Sequence, residues 1–159
     1  MPSDSDPTGS CGLLADYLSD NKDALIEKWL VEARRDRTVL SDKLNQIELT
    51  DHMPKIFDSV VNELRQQCGM NKTEVTSVTA RHTVIRWVQK YDLRSVLREV
   101  SILRAEFVQL LMAFHRKRPD NNDVECLLHS TIIHRILDDI VYDATETFIM
   151  LKTKSVDNR

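Results

Sequence analysis

The sequence predicts an all-α fold, a helical bundle or globin-like packing of about five helices. Three observations lead there. Apolar residues recur three and four apart through most of the chain, the signature of helices with one buried face. Runs that alternate apolar and polar residues, as strands do, are missing, so no sheet is expected. Glycine is nearly confined to the start: Gly9 and Gly12 stand in the first twelve residues and only Gly69 follows.

Residues 1–12, "MPSDSDPTGSCG", carry two prolines and two glycines and read as a mobile tail. Leu14, Leu18, Leu25, Trp29, Leu30 and Ala33 then keep helical spacing, giving a first helix over about 13–36. "TVLSDKLNQIELTDH" is a connector with a short helical turn in it. Thr50 or Asp51 caps a second helix, with Pro54 tolerated in its first turn and Ile56, Phe57, Val60, Val61 and Leu64 as its buried stripe. Gly69 suits a left-handed C-terminal cap.

"NKTEVTSVTA" is rich in β-branched residues, yet no strand partner exists, so it reads as a loop into a third helix over about 75–89. Asp92 is the expected N-cap of a fourth helix reaching to about Arg118, where "RKRPDNND" supplies a basic last turn, a proline stop and the next cap. A fifth helix covers about 123–153. Residues 13–154 thus form one domain, and 155–159 begin a linker or tail.

The last helix carries two stripes. Ile133, Leu137, Ile140, Ala144 and Leu151 step by three and four, while Ile132, Ile136 and Phe148 lie off that seam. The expectation is that one side packs on the bundle and the first stripe forms a homodimer or partner seam; the alternative is a central helix buried all round within one subunit.

The net charge of -3 and pI near 5.9 argue against nucleic acid as a partner, because neutralising phosphates takes a basic face. The one basic cluster, Lys28 with Arg34, Arg35 and Arg37, is interrupted by Glu32 and Asp36, as on a solvated helix end. Cys11, Cys68 and Cys126 are odd in number, far apart and without a CxxC, a pattern that fits a reducing cytosol. There is no charged leader followed by an apolar stretch, and no apolar run near the roughly 18 residues of a membrane span, so a cytoplasmic protein is expected.

Catalysis is not expected. With no glycine after residue 69, no Walker loop, GxGxxG turn or kinase glycine box follows it. His82 and Arg86, spaced i, i+4, share a helix face, and Glu99 borders an apolar stripe where a buried carboxylate asks for a cation such as Arg86 or Arg104. Neither an activated nucleophile nor an oxyanion site accompanies them. Cys126, His129, His134 and Asp138 offer i+3 and i+4 pairs, but not the paired spacing of a zinc site. His82, His115, His129 and His134 are formal axial ligands for haem, without a CxxCH. No cofactor or metal is assigned. A phosphoacceptor histidine in "ARHTVIRW" is rejected, since no acidic residue follows it and no ATP-binding half is present.

In order along the chain, "LADYLSDNKDALIEKWL", "LTDHMPKIFDSVVNELR", "RHTVIRWVQKYDLRSVLREVSILRAEFVQLL" and "IHRILDDIVYDATETFI" resemble the RsbRD-type N-terminal domain family, input modules of stressosome-related regulators and bacterial sensor histidine kinases. The resemblance covers about 13–150. His82, Arg86, Tyr91, Glu99, Leu103 and Arg104 match its central pattern, with Lys90 where that pattern has glycine. It implies a helical, globin-related or four-helix fold without a required haem, which dimerises and feeds a C-terminal output domain or partner signalling protein. It also implies a polar network, or small pocket, of His82, Arg86, Tyr91, Glu99 and Arg104 between the third and fourth helices.

Overall fold

The computed structural model describes residues 7–36, 53–67, 69, 92–119 and 122–157. These form five α-helices: α1 (Pro7–Asp20), α2 (Lys22–Arg35), α3 (Met53–Gln67), α4 (Leu93–Arg116) and α5 (Asp123–Asp157). The described residues hold no strand, and the all-α bundle expected from the spacing is what forms. The predicted helix at 75–89 lies outside the described residues.

The N-terminal segment departs from expectation. Residues 7–12, read as tail, are the first turns of α1, and Cys11 and Ser10 are buried. Proline is favoured in a helix's first turn, where its missing N–H has no partner to lose, so Pro7 opens the helix instead of preventing it. The predicted 13–36 helix is also two helices. Asn21 breaks it, its side-chain Nδ2 donating to the Tyr17 carbonyl at 2.8 Å in competition with the helical ladder.

The other boundaries follow from caps and stripes. Pro54 sits in the first turn of α3, and Ile56, Phe57, Val60, Val61 and Leu64 are all buried. Gly69 has φ +78, the left-handed conformation in which a side chain is strained. Asp92 caps α4 by accepting from the Ser95 backbone N–H at 2.8 Å. Asp92→Ala is therefore expected to cost about 1 kcal/mol; a urea-denaturation midpoint equal to wild type would show that the cap carries no weight.

α4 packs along α5, α1 on α3, α2 on α4 and α3 on α5. α1 and α3 run antiparallel: Arg65, near the end of α3, pairs with Asp16 in α1, while Lys22, just past the end of α1 at the start of α2, reaches Asp58 earlier on α3. The core centres on Trp29, Phe57, Phe107 and Leu103. Phe57 and Phe107 stack with ring centroids 5.3 Å apart, joining α3 to α4. Trp29 Nε1 donates to the Glu99 carbonyl at 3.2 Å, joining α2 to α4.

The seam expected on α5 is corrected by this packing. Ile133, Leu137, Ile140 and Ala144 are buried, as are Ile132 and Ile136, and Leu151 is half-buried against the same core. Both stripes serve the inside of one chain, because α5 lies in the angle between α3 and α4 and is covered from two sides. No described helix is long and apolar enough to cross a membrane.

Candidate functional site

Of the expected polar network, His82, Arg86 and Tyr91 lie outside the described residues. Glu99 and Arg104 are described, and they do not meet. Five residues apart on a helix, they point about 140° from one another. Glu99 is buried, and its backbone carbonyl accepts from Trp29 Nε1. Arg104 instead turns to α5, where it hydrogen-bonds His134 Nδ1 at 3.1 Å and forms an ion pair with Asp138. A partly exposed pair of this kind contributes little to stability.

The structure builds a different polar cluster, where the first turns of α1 meet the end of α4 and the start of α5. Ser10 Oγ lies 3.1 Å from His129 Nε2, and His129 Nδ1 lies 3.2 Å from His115 Nε2. All three side chains are buried, His129 completely. Ser10 also hydrogen-bonds Glu125, which takes a second bond from Arg118 Nη1 at 2.9 Å. Phe114 closes the cluster with its edge to His115, its face to the Arg118 guanidinium and its side to Tyr17 of α1.

The direction of each hydrogen bond follows from one charge. An ionised carboxylate only accepts, so the Ser10 hydroxyl donates to Glu125. Ser10 Oγ then accepts from His129 Nε2–H, leaving His129 Nδ1 to accept from His115 Nε2–H. In this arrangement His129 is neutral, with its proton on Nε2, and His115 donates from Nε2.

The electrostatics agree. Burial would raise the Glu125 carboxyl, but the hydrogen bonds from Ser10 and Arg118 and the Arg118 charge outweigh it and hold the group below its ordinary value. Burial, reinforced by the neighbouring His115 and by Arg118, pushes His129 down to about 4, with Glu125 pulling the other way. Arg118→Ala is expected to let the Glu125 carboxyl rise, since it removes both a hydrogen bond and a charge; a carboxyl titration by NMR that does not move upward would contradict the assignment.

Sequence reasoning missed this cluster because Ser10 had been assigned to the tail and lies 119 residues from His129. A signal was present. His115 comes four residues after Leu111 and His129 four before Ile133, so both histidines sit on buried stripes where an imidazole must find a partner.

Cys126 is a free, half-buried thiol, and among the described residues no group of three or more His, Cys, Asp or Glu is arranged to hold a metal. Cys11 is disulfide-bonded. That bond does not fit the reducing compartment inferred from cysteine spacing, since disulfides persist mainly where the surroundings are oxidising.

Comparisons with known proteins give no match, whether to a family model, a curated protein or a solved structure.

Proposed function

We propose that the chain is a non-catalytic sensory and dimerisation module, the input part of a bacterial signal-transduction protein of histidine-kinase type, which signals by movement of α5 in a homodimer. The signalling part of this reading rests on the resemblance of the sequence, and one observation supports the dimerisation part. On the outer side of α5, Leu128, Arg135, Tyr142, Ile149 and Val156 stand at strict seven-residue spacing. All five are exposed, the four apolar ones by 41–71% of their surface. Large apolar residues left in solvent at one position of each heptad suit an apolar partner laid along the helix.

The partner that fits best is a second copy, parallel and in register. Apolar levels then meet apolar levels at four heights, and the single polar level meets its own kind. Arg135 has Asp139 one turn along the same face, so each arginine reaches the other copy's acid. The antiparallel arrangement that keeps all five levels in contact sets Arg135 against Ile149, a buried charge without a partner. Beside the stripe runs an open groove of about 480 Å³ lined by Leu127, Thr131, His134 and Asp138 among others, space for interdigitating side chains.

A catalytic reading has less support, because the Ser10–His129–His115 cluster is closed to substrate: His129 is completely buried. A shift or rotation of α5 within the pair is a two-state element that a stimulus can bias. Sedimentation equilibrium tests the proposal. Wild type is expected to be dimeric, and the Tyr142→Glu, Ile149→Glu double variant monomeric with unchanged helical content, since neither side chain is part of the core. A monomeric wild type, or a dimer that survives both charges, would refute it.

A further inference from the structure

We propose that Cys11 and Cys68 form a reversible redox switch, a disulfide that ties the second turn of α1 to the end of α3 when oxidised and loosens α1 when reduced. Its use as the module's stimulus rests on the signalling reading above; the switch itself does not.

The pairing follows from count and from register. The chain has three cysteines, of which Cys11 is disulfide-bonded and Cys126 is free, leaving Cys68, a residue outside the described ones. The described residues agree. Because Asp16 pairs with Arg65 in an antiparallel arrangement, Cys11, just over a turn before Asp16, lies toward the end where the chain leaves α3.

The bond has the marks of a switch more than of a staple. Residues from all five helices form one apolar cluster, and a domain of this size buries enough surface to fold without cross-links. Small domains that depend on disulfides carry several, whereas here Cys126 stays free. A solitary disulfide in a reducing compartment is transient and redox-sensing, which reconciles the bond with the cysteine pattern.

Burial sets the path of the exchange. Cys11 is 1% exposed, within the cluster that holds Leu14 and Leu18, whereas Gln67 and Gly69, on either side of Cys68 in the chain, are exposed. An incoming dithiol therefore attacks the Cys68 sulfur as thiolate, and Cys11 leaves and takes a proton. The second thiol of the reagent then displaces Cys68, which takes the other proton. One S–S bond breaks in the protein and one forms in the reagent, with two electrons passing to the cysteines. The reverse exchange, with a disulfide as oxidant, closes the switch.

What loosens is α1. Its Cys11, Leu14, Ala15 and Leu18 are buried, and Ser10 reaches His129, so its first turns touch the start of α5 as well as packing on α3. A cross-link limits how far Cys11 can move from α3 and so opposes any opening that lifts those turns.

The full chain, equilibrated under native conditions with reduced or oxidised dithiothreitol, tests the switch. Alkylation and peptide mass spectrometry should find Cys126 alone modified after oxidation, with a peptide pair joined through Cys11 and Cys68, and all three cysteines modified after millimolar reductant. Amide hydrogen exchange should show protection over Gly9–Leu14 falling at least about tenfold on reduction and returning on reoxidation. Cys68→Ser, which keeps Cys11 in the core, should match reduced wild type in both buffers, and Cys126→Ser should respond as wild type does. A bond to Cys126, a bond that resists reduction in the folded chain, or protection that does not change with it would overturn the switch. In Tyr142→Glu, Ile149→Glu the response should persist, since neither residue belongs to α1 or α3. Persistence there upholds the switch whatever becomes of the dimer, and loss there would overturn a switch confined to α1 and α3.

Discussion

Replacing Trp29 with alanine is expected to lower the free energy of unfolding by about 4 kcal/mol, the range found when large aromatic side chains are cut from a core. The indole is completely buried in α2 against α4, and its N–H is spent on the Glu99 carbonyl, so the substitution opens a void and removes a link between two helices. Trp29→Phe should cost less than half as much, because most of the ring volume remains and a helical carbonyl keeps its ladder partner. Urea denaturation followed by circular dichroism measures both. A loss below about 1 kcal/mol for the alanine variant would mean that α2 does not dock as described.

The second large effect is on acid stability. His129 is held neutral in the fold, with its pKa down at about 4 against an ordinary 6.5. Below pH 6.5 the unfolded chain takes up a proton that the folded chain refuses, so stability is complete above pH 6.5 and falls through the interval. It levels off once the folded form also protonates, near pH 4. The loss is on the order of 3 kcal/mol, from 2.5 pH units at about 1.4 kcal/mol each. Glu125 adds a further loss at lower pH, since its carboxyl is held below the ordinary 4.5 and its bonds vanish as it protonates. Urea midpoints at pH 7.5, 6, 5 and 4 should descend in wild type and descend less in His129→Gln. A wild-type midpoint unchanged between pH 7.5 and 5 would contradict a buried neutral imidazole.

Much of the fold was legible in the sequence because it depends on local chemistry. The cap at Asp92, the stripe of α3 and the turn at Gly69 are each set by a few neighbouring residues, and each stands where spacing put it. What failed depended on distant residues. Pro7 and Gly9 look like breakers until Cys11 and Leu14 bury themselves against the bundle, a gain that local propensity does not contain. The stripe through Ile133 and Leu137 was correctly read as apolar but given the wrong partner, because periodicity tells which face is buried and not whether the cover comes from the same chain. The outer heptad went unnoticed for a related reason: Arg135 within it and Asp139 beside it make the face look solvated until exposure shows that Leu128, Tyr142, Ile149 and Val156 share it. The Ser10–His129–His115 row was invisible because its members come from both ends of the chain.

The central claim is that the outer stripe of α5 meets its own copy in parallel, and a cross-linking scan tests it most directly. In a Cys126→Ser background, which removes the free thiol, single cysteines at 142 and at 149 should each give covalent dimers with a short bis-maleimide, since parallel pairing sets every position opposite itself. A cysteine at 55, exposed on α3, should give none. Efficient cross-linking at 55, or none at 142 and 149, would contradict the account.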